Sequence, residues 1–402
     1  MKRILLYIAG ENGCTLHRLI LPHAFMNTED FTIQFGTNKH GDELIEEIGN
    51  YDAFVYHRIL PKGMIELIRL KYPNLKIICD VDDTWNLTSS HIMYEHYQRY
   101  GISEDIRKHI ELSDYVTCTT PMLAEKIKPH NPNVFIFPNA LVPESQFKPN
   151  PTKSDKVRIG IIGGCAHVTD MQILDGMIRQ LPKDVLENVQ FVLGGFDKGT
   201  FHTKQSDGTI KSEPMPWDKV VWTKMEKIIT DNYNIVSPEY KEFLQRYLYK
   251  VDTPSDEPYR RLWTRDIWNY ATLYDEIDVL LVPLIDSDFN RYKSELKMIE
   301  ASVKGKAVIV PDVYPYKYCA IPYIEYGGKV NPEGNCLMVN NRKGSSGWAK
   351  EITRIVRNKA IRDTISDNIR KLTADGAKYN LRKVSEDRLK WYKETVFKYE
   401  KE

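Results

Sequence analysis

Val157-Arg158-Ile159-Gly160-Ile161-Ile162-Gly163-Gly164-Cys165-Ala166-His167-Val168-Thr169-Asp170 is the stretch on which the fold turns. An apolar run, a double glycine and a helix opening near Met171–Gln180 make one strand-turn-helix unit, and strand Gln190–Leu193 follows it. The unit begins in mid-chain, after a complete pattern of the same kind. Upstream, the strand candidates are Ile4–Ala9, Thr32–Phe35, Ala53–Tyr56, Lys76–Cys79, Tyr115–Cys118 and Val134–Phe137. Helical spacing fills the gaps at Asp42–Ile48, Pro61–Leu70, Met93–Leu112 and Pro121–Ile127, two of them opened by proline. Such alternation requires crossover connections and a parallel sheet covered on both faces. Pro138, Pro143, Pro149 and Pro151 then give the composition of a linker.

Downstream, regularity fails from Gly194 to about Arg265 and returns with helix Asp266–Tyr274, strand Asp278–Val282, helix Lys293–Lys304, and strands Ala307–Val310 and Cys336–Val339. The irregular part reads as an insertion, in which Trp217, Trp222, Trp263 and Trp268 serve chiefly to glue it to the body. Residues 345–402 read as charged amphipathic helices. The expected fold class is α/β, with two Rossmann-like domains facing a cleft and C-terminal helices. The expected boundaries are 1–140 for the first domain, 141–152 for the linker and 153–384 for the second domain with its insertion at about 195–265. A last helix, 385–402, is expected to pack back on the first domain. Ligands of doubly wound sheets sit beyond the carboxyl ends of the strands, so functional residues belong just after strands.

The 402 residues suffice for two or three cores, and 42% hydrophobic with 28% charged residues excludes a disordered or fibrous chain. With 56 Lys plus Arg against 55 Asp plus Glu, no global positive field exists to drive sequence-independent binding of nucleic acid. Lys2-Arg3 before Ile4–Ala9 imitates a secretory signal, but the run is short, lacks a cleavage site and reads better as a strand. No apolar stretch approaches the length needed to span a bilayer. The six cysteines, 14, 79, 118, 165, 319 and 336, form no Cys-x-x-Cys pair, so the expected setting is a reducing cytoplasm, without disulfides or a zinc knuckle.

Four constellations carry possible chemistry. Gly163-Gly164 before a helix would let backbone amides approach a phosphate, with His167 and Asp170 just beyond; Asp170 reads equally as the helix cap. In Asn290-Arg291-Tyr292-Lys293-Ser294-Glu295-Leu296-Lys297-Met298-Ile299-Glu300, spacings of four and three put Lys293, Lys297 and Glu300 on one helical stripe. Lys293 and Ser294 would then stand in the first turn, where a diphosphate docks, and Glu300 could accept from two vicinal hydroxyls. Asp80-Val81-Asp82-Asp83-Thr84 after a strand matches the nucleophile motif of haloacid-dehalogenase-like phosphatases. Finally, His17 and Arg18 after the first strand and His57-Arg58 after the third suit an anionic ligand, or else pair with Asp80 or Asp82.

In order along the chain, these motifs resemble the GT-B glycosyltransferases, in the retaining, glycogen-synthase-like family-4 branch of bacterial and phage enzymes. The resemblance also includes Ser113-Asp114-Tyr115-Val116-Thr117, Thr120-Pro121-Met122-Leu123-Ala124, Pro138-Asn139, Gly305 to Pro311 and Gly334-Asn335-Cys336-Leu337. It covers most of the chain outside residues 195–265. Glu300 matches the second glutamate of the family's paired motif, a ribose clamp, whereas Tyr292 stands where the first glutamate belongs, so donor identity does not transfer. His167 and Asp170 match a His-x-x-Asp found in part of the family.

What the resemblance implies is transfer of a sugar from a nucleoside-diphosphate sugar to an unknown acceptor, with retention of configuration and without a bound metal or other cofactor. The implied catalytic residues are Arg18, His167, Lys293 and Lys297. The donor would be held by Gly163, Gly164, Asp170, Asn290, Ser294 and Glu300. His17, Arg58, Asp80, Asp82 and Asp83 would lie on the acceptor side. The expected partner is the nucleotide sugar, with a saccharide, lipid-linked saccharide, protein or modified nucleic acid as acceptor. The alternatives are a phosphatase using Asp80 and Asp82, and a non-catalytic nucleotide-sugar-binding protein on the same fold.

Overall fold

A computed structural model of the chain describes residues 1–205, 209–231, 242, 257–325 and 327–399. Two compact units emerge. The first comprises Met1–Val142, Ser287–Val303 and Lys371–Glu402; the second comprises Pro143–Asp286 and Lys304–Arg370.

In the first unit, β1 (Lys2–Tyr7), β2 (Phe31–Phe35), β3 (Ala53–His57), β4 (Lys76–Val81), β5 (Tyr115–Cys118) and β6 (Val134–Ile136) form one parallel sheet in the order β2-β1-β3-β4-β5-β6. All six match the strand runs of the sequence; β3 and β4, buried along nearly their whole length, carry near-continuous apolar residues, whereas the edge strand β2 alternates Thr32 and Gln34 with apolar neighbours. One face packs Leu5, Phe54, Tyr56 and Ile77 against Ile65, Ile68, Ile106 and Ile110 of the crossover helices. The other face packs Ile4, Leu6, Val55 and Ile78 against Leu19 and against Leu381, Val384 and Trp391 of the C-terminal helix Leu381–Trp391. Helix Pro121–Ile127 begins as its sequence dictates, with Pro121 in the first turn and the Thr120 side chain accepting from the Leu123 amide. The segment Met93–Leu112, expected as one helix, is two, Tyr94–Tyr100 and Ile102–Leu112, because Gly101 between them takes φ 64°.

In the second unit, the strands are β7 (Val157–Ile162), β8 (Val189–Phe196), a hairpin of β9 (Thr200–Lys204) and β10 (Ile210–Pro214), then β11 (Tyr259–Trp263), β12 (Val279–Leu281), β13 (Ala307–Pro311) and β14 (Leu337–Val339). All but the hairpin form a parallel sheet in the order β11-β8-β7-β12-β13-β14. Strand β11 lies inside the region read as an insertion. Its Tyr-Arg-Arg-Leu-Trp sequence looks exposed, yet Arg261 is buried on Glu226 at 2.7 Å and Arg260 on Glu276 at 2.8 Å. Helix Val221–Thr230 of the same region places Trp222, Met225, Ile228 and Ile229 in the main core. Residues 206–208, 232–241 and 243–256 of that stretch lie outside the described residues. Trp217, Trp222 and Trp263 surround Phe196, the packing role expected of them, while Trp268 is exposed.

Two helix expectations are corrected. Met171–Gln180 is a short helix, Val168–Met171, and two 3-10 turns, since Gly176 at φ 76° ends any longer one. Asp266–Tyr274 is replaced by a 3-10 helix at Tyr270–Glu276. That 3-10 helix leads into Ile277, whose side chain fills the space over Gly160 of β7; a Cβ there would lie 2.3 Å from Ile277 Cγ2. Gly160→Ala is therefore expected to destabilise the chain by about 1–3 kcal/mol through overpacking, readable as a lower urea midpoint.

In each sheet the chain reverses its direction of travel once: β1 lies between β2 and β3, and β7 between β8 and β12. The carboxyl ends of these pairs are the switch points at which doubly wound sheets bind ligands.

Candidate functional site

At the switch point of the second sheet, Gly163 and Gly164 follow β7. A Cβ on Gly195, at the end of β8, would lie 2.4 Å from the Gly163 carbonyl oxygen, so glycine lets these two backbones meet. Apart from its chain neighbours, no atom of the described residues lies within 4 Å of the point where a Cβ on Gly164 would stand, so a ligand can come close to its backbone. Beyond it, Cys165–His167 and Val168–Met171 form consecutive helical turns. Asp170 is inside the second of these and does not cap it. Its Oδ2 accepts from His167 Nδ1 at 2.9 Å, and its Oδ1 accepts from the Ile285 amide at 3.1 Å. A carboxylate only accepts, so His167 carries a hydrogen on Nδ1 and its ring is fixed in orientation. One buried carboxylate thus ties His167 to the exit of β12.

The first unit places Arg18 and Asp80 face to face. Arg18 donates from Nε and Nη2 to the two Asp80 oxygens at 2.8 and 2.9 Å. Its Nη1 donates to the Phe137 carbonyl at 2.8 Å and to Asn139 Oδ1 at 3.1 Å. Thr117 donates to Asp80 Oδ2 at 2.6 Å, and Arg388 stands 4.0 Å from the same oxygen. Arg18, Asp80 and Arg388 are all essentially inaccessible to solvent. Arg18 therefore has its fork committed within the protein, which makes it a positioning residue rather than a cation offered to substrate. Asp80 likewise has no approach open to a phosphorus atom, and the phosphatase reading finds no support in this geometry.

The hydrogen-bond chain continues outward. Asn139 donates from Nδ2 to Ser294 Oγ at 2.8 Å, which joins the Asp80 network to the segment Ser287–Val303. Sequence reasoning assigned that segment to the second domain; here it groups with the first. Its helix also starts later than expected. Asn290–Tyr292 is a 3-10 turn, Lys293 is extended at φ −66° and ψ 168°, and the helix is Leu296–Lys304. Lys293 and Ser294 precede the helix instead of occupying its first turn, because the chain must first deliver Ser294 to Asn139. Lys293 Nζ lies 3.8 Å from Asp83, and Lys297 Nζ donates to Glu300 Oε2 at 2.8 Å. Asn290 is buried, with its amide on Ser287 Oγ at 3.2 Å. His17 Nε2 is 3.9 Å from Glu300 Oε1, and burial pulls its pKa down to about 4 against the opposing pull of Glu300. The structure thus brings donor-side candidates (Lys293, Ser294, Lys297, Glu300) together with acceptor-side ones (His17, Asp83).

At the switch point of the first sheet, His57 ends β3 and Asp82 follows β4, with His57 Nε2 and Asp82 Oδ1 2.8 Å apart. Arg58 stands 3.9 Å from that oxygen and takes φ 60°, an uncommon backbone for a residue with a side chain. Burial alone would raise the Asp82 pKa, but His57 and Arg58 hold it well below the usual carboxylate range. Cys14, which sequence reasoning noted only as one of six unpaired cysteines, joins this group: the Asp82 charge beside it pushes its thiol well up.

No family model matches the chain, and no curated protein is similar to it in sequence. Solved structures are similar in fold. HepE of Anabaena, in complex with UDP and glucose, aligns at TM-score 0.60 and 10% identity over 97% of this chain and 98% of its own. OtsA in its apo form aligns at TM-score 0.54 and 8% identity over 97% and 99%. A Listeria monocytogenes protein designated a UDP-N-acetylglucosamine 2-epimerase aligns at TM-score 0.52 and 11% identity over 100% and 98%. The fold is accordingly that of the GT-B proteins, with two Rossmann-like units. Among the described residues no helix is long and apolar enough to cross a membrane.

Proposed function

We infer that the protein is a glycosyltransferase that moves a sugar from a nucleoside-diphosphate sugar to an acceptor hydroxyl. The observation that carries this reading is the switch-point turn of the second sheet. There, Gly164 leaves its backbone open to a phosphate and His167 is held at the edge of the same turn by Asp170. The similarity in fold to a protein solved with UDP and glucose supports it. In this reading the Gly164 amide binds a phosphate oxygen, the Gly163 amide being taken by the Gly194 carbonyl at 3.2 Å, and Glu300 accepts from ribose hydroxyls. Lys293 and Lys297 balance the negative charge of the departing diphosphate, so that step needs no metal. Departure and attack on one face of the sugar would retain its configuration.

Calorimetry with UDP, GDP and ADP, followed by product analysis with the matching nucleotide sugars, tests the reading. Expected are tight binding of one nucleoside diphosphate and transfer of its sugar to an acceptor or, slowly, to water. Release of an epimerised nucleotide sugar, or no binding of any of the three, would sink it. Glu300→Ala is expected to weaken nucleotide binding by about 1.5–3 kcal/mol, the range for hydrogen bonds to a charged group. Unchanged affinity would remove Glu300 from the ribose.

A further inference from the structure

The carboxyl ends of β1, β3 and β4 deliver three chemically distinct ligating side chains to one point. Cys14 lies in the helical turn Gly13–Thr15, which is fixed at its start by Asn12, whose side chain accepts from the Thr15 amide at 3.0 Å. His57 is the last residue of β3, and Asp82 is the first residue after β4. One Sγ, one imidazole nitrogen and one carboxylate oxygen from these residues all lie within 4.8 Å of one another. Among the described residues, no other group of three His, Cys, Asp or Glu side chains converges in this way.

We propose that Cys14, His57 and Asp82 form a binding site for a zinc-class transition-metal ion, with three protein ligands and a fourth position left to water. A tetrahedral ion with bonds of roughly 2.0–2.3 Å sets its ligand atoms about 3.3–3.8 Å apart, so the cluster needs to close by about 1 Å. Cys14 is exposed, so its side chain has room to turn, and the ion can reach the group from solvent. Asp82 and His57 are half-buried and meet at 2.8 Å, so an ion between them replaces their hydrogen bond and parts the two atoms by about 0.5 Å. On binding, the Cys14 S–H bond breaks and a sulfur–metal bond forms, with the proton passing to solvent; the proton that His57 Nε2 holds against Asp82 leaves for solvent while Nδ1 takes one up, so that the Nε2 lone pair faces the ion.

The nature of the ion follows from the neighbour at the rim. Arg58 Nη1 stands 3.9 Å from the Asp82 oxygen, a positive charge that opposes any cation held by charge attraction alone. A hard ion such as Mg²⁺ or Ca²⁺ would find one carboxylate, one poorly matched thiol and a guanidinium. A borderline-soft ion gains thiolate and imidazole bonds that the guanidinium does not cancel. The two ligand charges, thiolate and carboxylate, balance a divalent ion and leave Arg58 as the surplus. Arg58 also takes its uncommon φ of 60° directly beside His57, and such backbone strain concentrates at functional sites. The proposal stands whether or not the chain transfers sugar.

Titration of the full chain with Zn²⁺, and with Co²⁺ as a spectroscopic stand-in, tests the site without reference to activity. Expected are one equivalent bound per chain and a sulfur-to-cobalt charge-transfer band in the near ultraviolet. Cys14→Ser should abolish that band and weaken Zn²⁺ binding at least tenfold. Because Cys14 is exposed, this variant should fold, which far-ultraviolet circular dichroism will check. His57→Gln and Asp82→Asn should each weaken binding at least tenfold. Absence of the charge-transfer band in the unaltered chain, Zn²⁺ affinity unchanged by Cys14→Ser, or Mg²⁺ bound as tightly as Zn²⁺ would each overturn the proposal.

Discussion

Asp80→Asn is expected to destabilise the first unit by about 3–5 kcal/mol, the range for breaking a buried ion pair from one side. Asp80 is the only negative charge of a buried trio, with Arg18 bonded to both of its oxygens and Arg388 4.0 Å away. The amide of asparagine would leave two buried guanidinium groups unneutralised and would turn one donor face toward another. Arg388 is the telling partner. None of its guanidinium nitrogens finds a hydrogen bond among the described residues, its Cζ stands 4.5 Å from the centre of the Phe137 ring, and burial pulls its pKa down to about 10. Its desolvation is poorly offset, so Arg388→Met should cost little or even stabilise. The double variant Asp80→Asn/Arg388→Met should be less destabilised than the two single effects added together. Urea unfolding of the four proteins gives the coupling energy. An additive cycle would mean that Asp80 and Arg388 do not sense each other. A loss under about 1 kcal/mol for Asp80→Asn would mean that the trio contributes little.

That trio also marks where the sequence was legible and where it was not. Strands β1, β3, β4 and β5 could be read directly because each is buried at its centre and must be largely apolar there. Strand β11 could not, because its two arginines are buried on glutamates distant in sequence, and ion-paired burial looks like exposure when only composition is read. Arg388 was hidden for the same reason, inside a helix of charged residues with one face packed on the first sheet. Helix starts were missed where a tertiary hydrogen bond decides them, as with Ser294 and Asn139. Of the candidate site, the expected alternative that Arg18 pairs with Asp80 is what the structure contains, and His167 with Asp170 was visible as a local spacing. Cys14 with His57 and Asp82 was not visible, because the three converge only when three separate strand ends are laid side by side.

Acid should unfold this chain well before its carboxylates protonate. His17 and His23 are both buried, and burial lowers their pKa values to about 4 and about 3. His17 is opposed in this by Glu300 and pushed further by Lys297 and Arg18; His23 is pushed further by Arg388 and Arg18. The hydrogen bonds of His23 fit a neutral ring. Its Nδ1 must donate to the Leu19 carbonyl at 2.7 Å, which leaves Nε2 to accept from the Tyr392 hydroxyl at 2.9 Å, and burial keeps that hydroxyl protonated by raising its pKa. In the unfolded chain both rings titrate near 6.5, so below that pH the unfolded state takes up two protons that the folded state refuses. Their contribution to stability is unaffected above pH 6.5 and is lost steadily as pH falls toward 4. Each ring removes about 1.4 kcal/mol per pH unit, or about 4 kcal/mol for the pair by pH 5. Urea midpoints measured from pH 7.5 to 4.5 should therefore fall, with His17 and His23 contributing up to about two protons per molecule to the slope and His109, whose pKa burial also lowers, adding to it. The slope should drop by about one proton in His17→Gln or in His23→Gln, whatever each substitution does to stability at pH 7.5. A slope that neither substitution changes would mean that these rings ionise in the folded protein, and that His17 meets Glu300 as a cation.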